Sequence, residues 1–293
     1  MEVKKAIIPI AGLGTRFLPL SKVVPKEFWP LVDKPVLQYI VEEAIASGIE
    51  EIIFVINPGK KIAYDYFKKK LKSEKASLSK YKNHFLNQLE KLENLSKKIF
   101  FSTVVQREPL GDGDALLKAK KIVKKEPCAA LWADDVVESK IPCLLQLIKV
   151  FKKYKKPVIA LYRVPKSSFQ FYGMVGVKKV GNRTYRIAKI IEKPQVLESP
   201  SNLAIVGKSI ITDEVFNYLK KVKFSERGEI GLTETFAEMV KAGSEVYGYE
   251  FEGKWLECGN KLAYLKSNLY LSLKHPQFGK ELKEDLRFYL KQE

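Results

Sequence analysis

The sequence predicts an α/β fold, with a mixed, mostly parallel central sheet flanked by helices. Three observations lead there. Short apolar runs rich in β-branched residues alternate with segments of helical period through the first half. The first of these runs, residues 3–10, opens into a glycine-rich loop. The strand–helix–strand order over residues 3–56 needs a crossover connection, which is right-handed and leaves its two strands parallel. The second half reads as a mixed elaboration on this doubly wound unit.

The elements follow in order. Residues 3–10 form a short apolar strand. Residues 35–47 form a helix, with Val36, Leu37, Ile40, Val41, Ala44 and Ile45 at helical spacing, Pro35 in its first turn and Gly48 at its end. Residues 51–56 are a buried strand. Residues 60–98 predict two polar, Lys-rich helices. A strand at 100–105, a helix at 112–123 and a central strand at Ala129–Ala133 follow, the last running into Asp134 and Asp135. Then come a helix at 142–154 and a strand at Val158–Val164. Gly173, Gly176 and Gly181 among β-branched residues predict hairpins over 171–193. Helices near 212–221 and 231–242, a strand at 245–250 and a helical, amphipathic stretch over 260–292 complete the chain. One domain is expected over 1–293, divided into a first half at 1–165, a second half at 166–260 and a C-terminal helical segment at 261–293.

Composition narrows the function. A chain of 293 residues with 46% hydrophobic and 29% charged residues is an ordinary globular one. It has no apolar run of the roughly 20 residues a membrane helix needs. The start, Met1 to Lys5, lacks a signal-peptide pattern, which predicts a cytoplasmic protein. Three scattered cysteines (Cys128, Cys143, Cys258) and two distant histidines (His84, His275) argue against a disulfide framework, a zinc site and a His-dependent triad. The net charge of +18 raises nucleic acid as a partner. Its distribution argues otherwise. Residues 60–98 alone hold 12 Lys against 4 acids, and of 52 basic residues only 7 are Arg, the residue that reads bases bidentately.

The loop Ala11-Gly12-Leu13-Gly14-Thr15-Arg16 sits where open α/β sheets hold ligands, at the carboxyl end of a first strand. Its glycines let backbone N–H groups approach a phosphate, and Arg16 and Lys26 add positive charge for a triphosphate. The phosphate loop of ATPases is absent, and Phe17 stands where the dinucleotide fingerprint needs a third small residue. Gly-x-Gly alone fits a plain tight turn as well. The addition of Thr15-Arg16 and Pro25-Lys26-Glu27 makes the pattern specific.

With those residues the chain resembles the sugar-nucleotide pyrophosphorylases, in particular the bacterial UTP–glucose-1-phosphate uridylyltransferase family. The resemblance runs through Gly12-Leu13-Gly14-Thr15-Arg16-Phe17-Leu18-Pro19, Pro25-Lys26-Glu27, Phe171-Tyr172-Gly173, Ile191-Glu192-Lys193-Pro194, Ser201–Gly207 and Cys258-Gly259-Asn260-Lys261. It covers nearly the whole chain, and is weakest over 60–98 and the last twenty or so residues. It implies a Rossmann-like, glycosyltransferase-A-like fold with a nucleotide-binding half at 1–165 and a sugar-phosphate-binding half at 166–260, UTP and glucose 1-phosphate as substrates, Mg²⁺ as cofactor and a homodimer or homotetramer.

By the same resemblance Asp134 is the metal-binding carboxylate, with Asp135 beside it and Glu257 as a second metal ligand. Lys193 binds the sugar phosphate and Glu192 the glucose hydroxyls, while Gly173 lets the sugar approach the backbone. Gln106 and Gly111 read the uracil with the backbone of Ala11 and Gly12. Gly14, Thr15 and Glu27 contact the nucleotide. Arg16, Lys26 and Lys193 supply catalytic charge. The implied nucleophile is a phosphate monoester with a second pKa near about 6, already largely dianionic at neutral pH. No general base is needed, and catalysis reduces to positioning and charge stabilisation.

Four departures from the family pattern stand out. Glu257 replaces an Asp. Leu131-Trp132-Ala133-Asp134-Asp135 replaces Leu-Pro-Asp-Asp. Gly111-Asp112-Gly113-Asp114-Ala115 replaces Gly-Leu-Gly-His-Ala. Gly231 replaces a Gln. The two acids at 112 and 114 are expected to weaken polyanion binding or alter base choice. The same chemistry with dTTP or another hexose 1-phosphate, a non-catalytic nucleotide-sugar-binding homologue and a nucleic-acid-binding protein are the alternatives.

Overall fold

The computed structural model describes residues 1–58, 61–68, 83–222, 224 and 228–292. β1 (Lys5–Pro9) leads through three 3₁₀ turns into a tight hairpin of β2 (Pro30–Leu31) and β3 (Lys34–Pro35), then α1 (Val36–Ala46) and β4 (Glu51–Ile56). The apolar positions read from the α1 sequence explain its packing. Leu37, Ile40, Val41 and Ala44 are fully buried against the sheet, and each large aliphatic side chain so buried stabilises by about 1.5–3 kcal/mol. Pro35 lies just before the helix as its cap, because its extended ψ of 146° and its pairing with Pro30 keep it in the hairpin. Gly48 follows the helix at φ 86°.

α2 (Ile62–Lys68) and α3 (Asn83–Lys97) are the helical parts of the Lys-rich segment among the described residues, and the rest of that expectation lies outside them. β5 (Phe100–Val105), α4 (Asp112–Val123) and β6 (Cys128–Leu131) come next. β6 stops two residues earlier than the apolar pattern predicts, because Trp132 turns to donate its N–H to the Gly207 carbonyl at 2.8 Å. β7 (Asp135–Glu138), α5 (Cys143–Tyr154) and β8 (Val158–Arg163) follow. The glycine-rich stretch is one long hairpin, β9 (Gly173–Gly181) with β10 (Thr184–Glu192). β11 (Leu203–Ile211), α6 (Asp213–Leu219), α7 (Leu232–Lys241), β12 (Tyr247–Glu250), β13 (Lys254–Glu257), α8 (Lys261–Ser272) and α9 (Gly279–Tyr289) complete the described chain.

Among the described residues, nine strands form one sheet in the order β5-β4-β1-β6-β11-β8-β12-β10-β9. β1, β4, β5 and β6 are mutually parallel, as the crossover argument requires. β11 enters antiparallel between β6 and β8, and β10 is antiparallel to both β12 and β9. All other strands of the sheet share the direction of β1, so it is mixed and mostly parallel. Periodicity did not reveal β11: it is a near-continuous apolar run in which Lys208, fully buried, pairs with Glu43 of α1 at 2.8 Å. Nor did it reveal the small β7–β13 ribbon, whose register sets Glu257 opposite Asp135. One apolar cluster, carrying α1 and α5, covers one face of the sheet, and a second, carrying α4, α6 and α7, covers the other.

Candidate active site

The loops after β1, β5 and β6 and the end of β10 converge on one cavity of about 500 Å³. Its lining includes Ala11, Gly12, Gly14, Thr15, Lys26, Glu27, Gln106, Gly111, Asp134, Glu192 and Lys193. The N-termini of α4 and α7 also face it, through Gly111 and Asp112 on one side and Gly231, Thr233 and Glu234 on the other. The positive end of a helix dipole favours an anion there.

Lys26 is set by a 3₁₀ turn (Lys26–Phe28) that follows Pro25. Its ammonium pairs with the Asp134 carboxylate, which the turn after β6 presents. Burial penalises both charges, yet each stabilises the other. The Asp134 carboxyl therefore falls below its ordinary range, and the Lys26 ammonium is held above its own. Asp135 is turned away. Its oxygens accept from Trp255 Nε1 at 2.7 Å and from Gly207 N at 3.1 Å. Burial, with the Asp134 charge adding to it, pushes the Asp135 carboxyl up to about 7. Asp135 thereby ties β7 to β11 and β13.

Glu257 is held at the end of β13 by Tyr172, whose hydroxyl donates to Oε2 at 2.5 Å, and by Asn260, whose Nδ2 donates to Oε1 at 3.1 Å. Asn260 also caps α8 by accepting from Ala263 N at 2.9 Å. A carbon placed on Gly259 would lie 3.0 Å from Asp134 Oδ2, 3.5 Å from Glu257 Oε1 and 3.7 Å from Arg16 Nη1. Two carboxylates and a guanidinium thus converge on one point, although Arg16 and Glu257 lie outside the cavity lining. Arg16 donates to the Gly259 carbonyl at 3.3 Å.

The β10 end carries Glu192 paired with Lys193 at 3.1 Å. Burial raises the Glu192 carboxyl, and Lys193 opposes that shift. Lys193 is a non-glycine residue at φ 47°, anchored by its N–H to the Tyr172 carbonyl at 3.1 Å. Such strain is held in place by surrounding structure and clusters at working sites. Gly173 sits beneath this pair outside the lining, where a Cβ would meet Glu192 Oε2 and Thr233 Cγ2, each at 2.9 Å.

A scan against protein-family models matches residues 5–272 to the nucleotidyl transferase family. The chain belongs to that family. It is 39% identical over 291 residues to the UTP–glucose-1-phosphate uridylyltransferase of Staphylococcus epidermidis, covering 99% of this chain and 98% of the relative. It is 40% identical over 281 residues to the same enzyme of Staphylococcus haemolyticus, covering 96% of each. A UDP-glucose pyrophosphorylase structure with bound UDP-glucose superposes with a TM-score of 0.84 at 32% identity, covering 93% of this chain and 100% of that one. The UTP-bound enzyme of Acinetobacter baumannii gives a TM-score of 0.86 at 33% identity, covering 97% and 98%.

This nucleotidyl transferase handles its departures by local compensation. Asp114 is buried and accepts from Gln106 Nε2 at 2.9 Å, with Lys118 at 3.1 Å from its other oxygen. Asp112 accepts from the Leu232 N–H at 2.9 Å and so caps α7 from another element. The Glu234 side chain folds over Gly231, where a Cβ would lie 1.8 Å from Oε2. The lining still holds Glu27, Asp112, Asp134, Glu192, Glu229 and Glu234 against Lys26 and Lys193. An excess of carboxyl groups on a triphosphate-sized cavity, with oxygen donors at Asp134 and Glu257, fits a hard divalent cation. Tyr172, Asn260 and Trp255 carry no sequence signal of their roles except the capping Asn, which precedes a helical run.

Proposed function

We propose that this protein transfers the uridylyl group of UTP to glucose 1-phosphate, giving UDP-glucose and pyrophosphate, and that the cavity just described is where it does so. The observation that carries this is the meeting of the glycine-rich loop, the Lys26–Asp134 pair and the Glu192–Lys193 pair on one cavity. The first suits a nucleotide, and the last suits a sugar phosphate, with an ammonium for the phosphate and a carboxylate for vicinal hydroxyls.

In this reading the backbone of Ala11 to Thr15 and the Lys26 ammonium cradle the triphosphate, with Arg16 beside it. Gln106, Gly111 and the Ala11–Gly12 backbone receive the base, and Glu27 contacts the nucleotide. Lys193 holds the attacking phosphate in line with the α-phosphorus, and Glu192 and Gly173 seat the glucose ring. No side chain need remove a proton, because the attacking phosphate is already a dianion. The work left to the protein is alignment and neutralisation of charge.

Asp134 and Glu257 would hold Mg²⁺, which would neutralise charge on the phosphates as pyrophosphate leaves. Among the described residues no cluster of three or more His, Cys, Asp or Glu is arranged for a metal. Two carboxylates completed by water and phosphate oxygens are nevertheless the usual environment of Mg²⁺. The exposed leucines 262, 265 and 269 along α8 support a homo-oligomer. No described helix is long and apolar enough to cross a membrane.

The test is pyrophosphate release with glucose 1-phosphate against UTP, dTTP, CTP, ATP and GTP in turn, with and without chelator. Release with UTP that stops on chelation and returns with Mg²⁺ is expected. Release with dTTP in preference would move the substrate. No release with any nucleotide, from protein that still binds UTP, would favour a non-catalytic sugar-nucleotide-binding protein.

A further inference from the structure

Gln106 follows β5, and its backbone N–H donates to the Ile56 carbonyl at 3.0 Å. Its side chain is 4% exposed and reaches the cavity lining. A glutamine amide has two faces, a carbonyl that accepts and an NH₂ that donates, and it can present either one. Here the choice is forced. The amide nitrogen lies 2.9 Å from the Gly111 carbonyl oxygen and 2.9 Å from Asp114 Oδ2. Both neighbours are acceptors, so only the NH₂ fits there, and turning the amide would set its oxygen against two others. Among the described residues the Gln106 Oε1 has no hydrogen-bond partner, nor does the Gly111 N–H.

We propose that Asp114 is a specificity-determining positioning residue. By holding the Gln106 NH₂, it fixes Oε1 as an acceptor toward the base, so that the site selects an imide N–H. The inference rests on the reading of Gln106 as the base-contacting residue. Uracil carries a donor at N3 flanked by carbonyl acceptors, which complements an acceptor at Oε1 and a donor at the Gly111 N–H. Cytosine presents the inverse pattern, an acceptor at N3 beside an amino donor. An amide free to turn would meet either edge. A fixed one leaves cytosine's N3 facing a lone pair, and unpaired polar groups of this kind account for strong discrimination. Thymine has the same imide as uracil, so the device does not separate UTP from dTTP.

The lock is local to α4. Asp114 is 6% exposed on the first turn of that helix, and Lys118, 44% exposed one turn on, steadies its second oxygen. Gly111 completes it. Its φ of 97° and the Ile230 carbonyl 2.5 Å from where a Cβ would be exclude other residues there, and its carbonyl remains available to Gln106.

The experiment measures dissociation constants and kcat/KM for UTP and CTP with the wild type, Asp114→Ala, Asp114→Leu, Asp114→Asn, Lys118→Met and Gln106→Ala, with circular dichroism as the check on folding. Asp114→Ala should lower the UTP:CTP ratio roughly tenfold or more, mainly through KM. Asp114→Leu gives the same readout with the volume kept, should the alanine variant not fold. Asp114→Asn, whose Oδ1 still accepts from Gln106, should keep most of the preference, and Lys118→Met should keep all of it. An unchanged ratio in whichever of the alanine and leucine variants folds would overturn the proposal, as would loss of preference in Lys118→Met alone. If Gln106→Ala leaves UTP binding unaltered, the base-reading assignment itself fails. Wild type that prefers UTP in binding but turns nothing over would sink the enzymatic reading and leave the lock to be judged on the dissociation constants.

Discussion

The two halves of the sheet build the same cavity by different means. In the β5-β4-β1-β6 half, three of the four strands run straight on into loops that line the cavity. Ala11 follows β1, Gln106 follows β5 and Asp134 follows β6. In the β11-β8-β12-β10-β9 half, and in the separate β7–β13 ribbon, a residue arrives by register instead. Glu192 stands opposite Gly173 across a hairpin, and Glu257 stands opposite Asp135 in a two-stranded ribbon. The first half presents charges that face one another, as Lys26 faces Asp134. The second props its charges from behind, as Tyr172 and Asn260 do for Glu257. Parallel strands deliver function at their ends, so short sequence segments suffice there. Antiparallel pairing makes function depend on partners far away in the chain.

The sharpest way to break this contrast is Asp134→Ala. It removes the carboxylate in the parallel half that pairs with Lys26, and on the proposed function pyrophosphate release should fall by about 10³-fold, near 4 kcal/mol. A fall no larger than that of Tyr172→Phe would erase the distinction between facing and propping residues.

Next is Lys208→Met, at the seam where β11 meets β6. The Lys208–Glu43 pair is buried, and Glu43 also accepts from Leu144 N at 2.8 Å. Leaving that carboxylate without its cation should cost about 3 kcal/mol in denaturant unfolding. A loss under about 1 kcal/mol, the scale of an exposed pair, would show that the seam does not depend on it.

Asp112 joins the halves, and its effect is read through pH. Burial pushes its carboxyl up to about 6 from an ordinary 3.8, against the pull of the Leu232 N–H. Between those values the folded protein holds a proton that the unfolded chain has released. Its contribution to stability therefore falls as pH rises through that window and levels off above it. Asp112→Asn should remove this slope, so that wild type minus variant declines from pH 4 to 6 in unfolding experiments. A difference that is flat, or that rises, would contradict the shift.

The smallest effect belongs to Tyr172→Phe. Losing one hydrogen bond to Glu257 should cost about 1 kcal/mol, roughly fivefold in turnover. The Mg²⁺ concentration for half-maximal activity should rise with it.

Much of this was legible before any coordinates. The α1 periodicity, the apolar strand at 51–56 and the helix at 112–123 all match observed elements, because buried faces impose a period on the sequence. Of the expected site residues, those adjacent to strand ends in the parallel half line the cavity, and so do Glu192 and Lys193. Arg16, Gly173 and Glu257 stand just behind it. β11 was missed because a strand buried on both faces has no alternation to read. Trp255 and Tyr172 were missed in their roles because each acts through a contact set by pairing elsewhere in the chain.

What the sequence determined by itself was the class of fold, the glycine-rich loop and the kinds of charge available, since these depend on local period and residue chemistry. The tertiary structure alone decided how the acids are used. Asp134 faces Lys26, while its neighbour Asp135 is drawn away by Trp255 and Gly207, and Asp114 is turned inward to hold Gln106. The physical reason is that a carboxylate's role depends on which donors reach it: for Asp134 and Asp135 they come from distant parts of the chain, and for Asp114 from the end of the preceding strand.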